Sequence, residues 1–283
     1  MHPDIETLQR WIRIACLAEA RARKPGNVHP GASFQDLTYE DFVRSAHAAS
    51  PVLARGTAGT LGQTICKAVE ATQAEVRTNT NLGICLLLAP MVAAVRNGDL
   101  RAEMSSVLAG TTCTDAAWVY RAIRTAVPGG LGKVDEQDVA DEPTETLLEV
   151  MQRAADRDRV AWQYAHGFRD IFEIALPCLE ESVDDAAEER IVGLHLRLMS
   201  QIPDTLIARK CGVDVAKESA ERAAAVLSAG WPGRNARSAL AGLDAWLRAD
   251  GHRRNPGTTA DLVAASLFAA LVEGVVTEEQ VTF

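Results

Sequence analysis

The sequence predicts an all-α protein, and three observations carry that prediction. Apolar residues recur at three- and four-residue spacing through most of the chain. No segment shows the alternating period of a half-buried strand. Ser or Thr followed three residues later by Asp or Gln, a helix-starting pair, recurs ahead of apolar-periodic segments. With 283 residues, 47% of them hydrophobic and 24% charged, the chain is long enough to bury a large core. No clear linker and no internal repeat divides it. The expectation is one multi-helix domain over residues 1–283, packed around a central apolar helix.

Residues 4–22 give the first amphipathic helix, with Leu8, Trp11, Ala15 and Ala18 on one face. It ends at Lys24-Pro25-Gly26-Asn27-Val28-His29-Pro30-Gly31, where two prolines and two glycines predict an ordered loop. Thr38 with Asp41 opens a second helix, expected to stop near Ser50-Pro51. A third is expected over 57–77. Residues 84–95 are apolar without interruption, which marks a helix buried on every side. The run falls well short of the roughly 20 residues that span a bilayer. Thr112 with Asp115 opens a helix bearing Trp118, Val119, Ala122 and Ile123, ended by Pro128-Gly129-Gly130. After an acidic loop over 135–145, the one segment that reads as a hinge, helices are expected at about 144–164, 167–181, 185–200, 213–229, 236–249 and 259–274. Thr277 with Gln280 begins a last short turn.

A net charge of −9 argues against nonspecific nucleic-acid binding, which needs a basic face, but leaves room for a local basic pocket. No signal peptide or membrane span is evident. The six cysteines, Cys16, Cys66, Cys85, Cys113, Cys178 and Cys211, lie far apart with no C-x-x-C pair, as in a reduced cytoplasmic protein. Gly130-Leu131-Gly132-Lys133-Val134 is a poor phosphate loop: it lacks the first Gly, the Ser/Thr after Lys, and a preceding strand. The histidines do not cluster, and His47, His166 and His195 fall within helices as packing or surface residues.

Three polar junctions remain. The first runs from Glu19 to Asp36 and offers Lys24, Asn27, His29 and Asp36 on a stiff loop. The second, Asn79-Thr80-Asn81-Leu82-Gly83, stands at the start of the apolar helix, where unpaired N–H groups and the positive dipole end favour an anion. The third is Asn255-Pro256-Gly257-Thr258-Thr259-Ala260-Asp261. Each also has a plain structural account: Asn79 or Thr80 as a cap, Asp36 near a helix start, and Thr258 with Asp261 as a capping box. Three such junctions feeding one helical core point to the rim of a single pocket.

Lys24-Pro25-Gly26-Asn27-Val28, Asn79-Thr80-Asn81-Leu82-Gly83, Asp204-Thr205-Leu206-Ile207-Ala208-Arg209 and Asn255-Pro256-Gly257-x-x-Ala260-Asp261-Leu262 resemble, in order, motifs of the triphosphoribosyl-dephospho-CoA synthase family. The resemblance covers about residues 19–267. It implies an all-α enzyme that takes ATP and 3′-dephospho-CoA, joins the triphosphoribosyl group to the 2′-hydroxyl, and releases adenine. The product is a precursor of the prosthetic group of citrate lyase and malonate decarboxylase acyl carriers. Asn27 and His29 depart from the usual K-P-G-L-V-D, and Gly31-Ala32-Ser33-Phe34-Gln35-Asp36 lacks the usual His and carries an extra residue. Leu82 replaces the lysine of N-T-H-K-G, which removes a charge-assisted phosphate contact. In these respects the chain resembles a divergent branch linked to one-carbon carrier cofactors of the tetrahydromethanopterin and methanofuran type. For that branch the alternatives are a related ribosyl or phosphoryl transferase, or an ADP-ribosyl-type hydrolase, acting on another small acceptor. A noncatalytic helical partner in a cofactor-making complex is a third class.

Displacing adenine from the ribose anomeric carbon passes through an oxocarbenium-like state and calls for carboxylates. Asp36 and Asp261 are the candidates for base and Mg²⁺ ligand, with Glu19 behind them. The triphosphate calls for Mg²⁺ and for donors, which Lys24, Arg209 and the N–H groups near Asn81 and Gly83 supply. Asn27, His29, Asn79, Asp204 and Asn255 complete the expected substrate-binding set. A homo-oligomer is compatible with all of this.

Overall fold

Fifteen α-helices and one turn of π-helix make up the regular structure of the described residues, 3–129 and 137–283, in a computed structural model. Among those residues there is no strand, only two isolated bridges, His29 to Ala32 and Phe34 to Leu37, inside the first loop. The Gly130-Leu131-Gly132-Lys133-Val134 segment lies outside the described residues, as does the start of the acidic loop.

The first layer is α1 (Ile5–Arg21), α2 (Tyr39–Arg55) and α3 (Leu61–Glu75). Asp41 accepts from the Thr38 amide at 2.8 Å, closing the capping box the sequence predicts. However, α2 runs on through Pro51 to Arg55, because Ala49, Leu53 and Ala54 continue its buried face past the missing N–H. The central rod α4 (Leu82–Asn97) follows, then α5 (Leu100–Ala109), α6 (Cys113–Ala126) and α7 (Leu147–Ala154). In α4 every residue from 84 to 95 except Ala93 is buried. Pro90 cannot donate to the Leu86 carbonyl, and the buried Tyr164 hydroxyl donates to that oxygen instead, at 2.7 Å.

Next come α8 (Arg159–Ala165), the π-turn Ile171–Ala175, α9 (Leu176–Glu181) and α10 (Ala187–Gln201). The expected 144–164 helix is therefore two, since Asp158 caps a new start on the amides of Val160 and Ala161 at 2.9 and 3.1 Å. The chain closes with α11 (Thr205–Cys211), α12 (Val213–Ser228), α13 (Arg234–Arg248), α14 (Gly257–Glu273) and α15 (Glu278–Val281). Helices α5 and α11 were not expected from periodicity. Each is short and set by an aspartate cap, Asp99 and Asp204.

The core holds two apolar rods where the sequence suggested one. Helix α14 is buried from Leu262 to Leu271, and it packs against α1, α4 and α10. One apolar cluster runs from Leu8 to Val281. Both rods begin at the same end of the molecule, and this end carries the polar groups. No single helix among the described residues is long and apolar enough to cross a membrane.

Candidate active site

The starts of α4, α8, α11 and α14 and the end of α1 meet at one place. Thr205, the first residue of α11, accepts from the Arg159 amide of α8 at 3.2 Å and donates to Thr258 of α14 at 3.1 Å. Asn27 in the first loop donates to Asn255 at 2.6 Å. Gly26, at φ +75°, lets that loop lie against Leu247 and Pro256, where any side chain would collide. Four motifs scattered through the sequence thus form one site.

At its centre, the Asp261 carboxylate rests on Gly83, the second residue of α4. A Cβ added at Gly83 would lie 2.5 Å from Asp261 Cγ and 3.1 Å from Oδ1. Gly83 and Asp261 are each half-buried as whole residues, while the Asp261 carboxyl group itself is desolvated. The expected Thr258–Asp261 capping box does not form: α14 already starts at Gly257, which frees the carboxylate to face α4. Burial holds the Asp261 carboxyl well above the ordinary value of 3.8; Glu19, Asp204 and Asp158 push it further, and Arg209 opposes them. At the α4 start, Asn79 accepts from the Leu82 amide at 3.2 Å. The amides of Gly83 and Ile84 have no acceptor among the described residues. Thr80 turns to Ser45 at 2.6 Å, and Asn81 donates to Thr72 at 3.0 Å, so both brace the junction from within.

Three of the expected ligand-binding or catalytic groups have internal partners instead. Lys24 is fully buried, and its ammonium meets the Glu19 carboxylate at 2.9 Å, the Glu19 carbonyl, and the Ala22 carbonyl at 3.4 Å. Its three protons are thereby taken within the chain, so in this arrangement it offers none to a phosphate. Glu19, 4% exposed, is locked in the same pair and acts on Asp261 through its charge. Asp204 accepts four bonds: Leu206 and Ile207 amides at 2.9 and 3.0 Å, and the Thr259 amide and hydroxyl at 2.7 and 2.8 Å. It starts α11 and holds the first turn of α14, with no lone pair left for a substrate.

The remaining groups line the rim. Asp36 is 62% exposed and pairs with His252 at 3.2 Å. His29 accepts from the Gly31 amide through Nδ1 at 3.1 Å, and burial, then Arg248, lowers its pKa. Arg209 pairs with Asp158, each about a quarter exposed. His195, read from the sequence as a packing or surface residue, is fully buried; its two ring nitrogens have no partner, and burial and Lys24 depress its pKa well below 6.5. Among the described residues, no three His, Cys, Asp or Glu side chains gather to hold a metal on their own.

The sequence profile of the CitG family, ATP:dephospho-CoA triphosphoribosyl transferase, matches residues 5–279. The chain belongs to this family. No match was found among the curated proteins compared. Among solved structures the chain is similar to a protein of Archaeoglobus fulgidus provisionally named a triphosphoribosyl-dephospho-CoA synthase, at 25% identity and a TM-score of 0.63. That likeness covers 81% of this chain and 98% of the other. The match indicates a triphosphoribosyl-dephospho-CoA synthase-like transferase, and the matched range contains all four motifs that carried the resemblance. In this CitG-family member they are the segments that meet at the starts of α4 and α14.

Proposed function

We propose that the enzyme transfers the 5-triphosphoribosyl group of ATP to the 2′-hydroxyl of 3′-dephospho-CoA and releases adenine. The observation that carries this reading is the desolvated Asp261 carboxylate held against Gly83 at the start of α4, where the Gly83 and Ile84 amides have no acceptor among the described residues. A desolvated carboxylate is a stronger base than an ordinary one. Asp261 takes the 2′-hydroxyl proton as that oxygen bonds to C1′ of the ATP ribose. The C1′–N9 bond breaks, its electron pair leaves with adenine, and adenine takes a proton from solvent. The Gly83 and Ile84 amides and Arg209 receive phosphate oxygens, and the dipole of α4 favours their charge. Asn27 and Asn255, joined by their amides, and His29 border the same opening.

Magnesium bound to a triphosphate is commonly held by one or two carboxylates together with the phosphates. Asp36 fits that mode: it is exposed, and one of its oxygens is not engaged by His252. Held there by Asp36, the ion would neutralise charge on the phosphates. We place the reaction in the cytoplasm, a setting that suits six unpaired cysteines.

A second reading keeps the donor and changes the acceptor. Leu82 is buried where the family resemblance expects a lysine, so this rim has one cation fewer for the acceptor's phosphates. Adenine release from ATP, measured with and without dephospho-CoA, tests both. Release that requires dephospho-CoA supports the first reading. Release that requires another carrier precursor supports the second, acceptor-independent release indicates a hydrolase, and no release with any acceptor removes both readings.

A further inference from the structure

We propose that Lys210, at the end of α11, binds a phosphoryl group of a substrate, the task that the buried Lys24 is not free to perform. The inference rests on the reading of the site as a polyphosphate-binding one. Lys210 is half-buried, and its ammonium has no hydrogen bond or ion pair among the described residues. Its Nζ lies 3.4 Å, and its Cε 3.0 Å, from where a Cβ on Gly129 would stand, so the side chain lies over glycine backbone. The segment is tied down: the Lys210 carbonyl accepts from Arg253 at 3.0 Å, and Cys211 Sγ donates to the Arg253 carbonyl at 3.5 Å.

The nearby carboxylates are already committed. Asp36 pairs with His252, and Asp204 holds four donors. Burial, then repulsion from Arg209, pulls the Lys210 pKa down, which is the signature of a cation short of negative charge. Arg209, its neighbour, opposes the rise of the Asp261 pKa. An anion settling between Arg209 and Lys210 relieves both and lies on the rim that leads to Asp261. Both substrates carry such an anion, ATP as a triphosphate and dephospho-CoA as a pyrophosphate.

Steady-state adenine release by the full chain, with each substrate varied in turn, tests this on Lys210→Met and Lys210→Arg. Losing one charge-assisted contact raises the KM of one substrate about 10- to 100-fold while kcat stays within about twofold. A rise for ATP identifies the triphosphate, and a rise for dephospho-CoA the pyrophosphate. Lys210→Arg recovers most of the loss. Because the ammonium has no internal partner, Lys210→Met melts no lower than wild type, whereas a structural lysine would lower the midpoint. Calorimetric binding of inorganic tripolyphosphate and pyrophosphate to the resting protein reads the anion site without turnover. If both bind Lys210→Met as they bind wild type and neither KM moves, the assignment is overturned. Absence of adenine release by wild type, with anion binding lost in Lys210→Met, removes the proposed reaction and leaves the anion site standing.

Discussion

Gly83→Ala separates activity from stability at the centre of the site. A methyl group at this position would stand 2.5 Å from Asp261 Cγ, whereas unstrained carbon–carbon contact begins near about 3.5 Å. The carboxylate must therefore withdraw by at least about 1 Å. Displacements of that size at a reacting centre cost about 10²-fold in rate. The backbone itself objects little: Gly83 is an ordinary helical residue, and Ala is a better helix former by about 1 kcal/mol. We expect kcat for adenine release to fall about 100-fold. The thermal midpoint changes far less than the rate, because the group that must shift is the end of one side chain and the helix gains a better former. Adenine is read by chromatography after a timed reaction, and unfolding by circular dichroism. If Gly83→Ala turns over within about fivefold of wild type, Asp261 does not act from the position it holds against α4.

Further consequences follow from the buried charges. Folded Asp261 holds its proton to a higher pH than unfolded Asp261, so wild type loses stability as pH rises from near 3.8 through the raised value. Asp261→Asn removes that loss. It should match wild type in denaturant melts at pH 3, exceed it at pH 8, and release no adenine; equal stability at both pH values refutes the shift. Lys24→Met strands Glu19 in the interior at a cost of about 3–5 kcal/mol, and adding Glu19→Leu restores most of it. A stable Lys24→Met with a raised KM for ATP would instead return Lys24 to the substrate. Asp204→Ala leaves four donors unpaired at two helix starts and is expected to lose about 2–4 kcal/mol in urea unfolding. In native thiol labelling, exposed Cys113 reacts while Cys16, pushed up to about 12 by burial, and Cys85 stay silent; labelling at Cys85 would place it outside the core.

Local rules made the helices legible. Thr112 with Asp115 and Thr277 with Gln280 closed as capping boxes at 2.8 Å, and residues 84–95 formed a buried rod, because caps and apolar runs act within a few residues. The starts of α8 and α11 were hidden, since a single aspartate followed by a short helix has no period to detect. The site was legible as three polar junctions with helix breaks, and the family resemblance added Asp204–Arg209. What each charge does inside it was not legible. Lys24 and Asp204 look like ligand donors in a string of letters, but burial gives Lys24 three carbonyl and carboxylate partners and Asp204 four donors. The Gly83–Asp261 contact joins residues far apart in the chain, and only the packing of α14 on α4 brings them together.

The distribution of charge also gives a protein of net charge −9 a way to accept the polyphosphate substrates proposed for it. Carboxylates at the floor are neutralised internally: Glu19 by Lys24, Asp204 by four donors, and Asp158 by Arg209 and two amides. Only Asp261 is left with its charge poorly matched, and desolvation penalises that charge until a proton or a cation arrives. The rim shows the opposite imbalance, with Lys210 and the Gly83 and Ile84 amides lacking partners among the described residues. A base that wants a proton beside donors that want an anion is the arrangement that a hydroxyl acceptor and a phosphorylated donor satisfy together. Filling the floor with internal pairs keeps the local field from cancelling at the rim. Long-range repulsion from the acidic surface is weak beyond the roughly 8 Å Debye length of physiological salt.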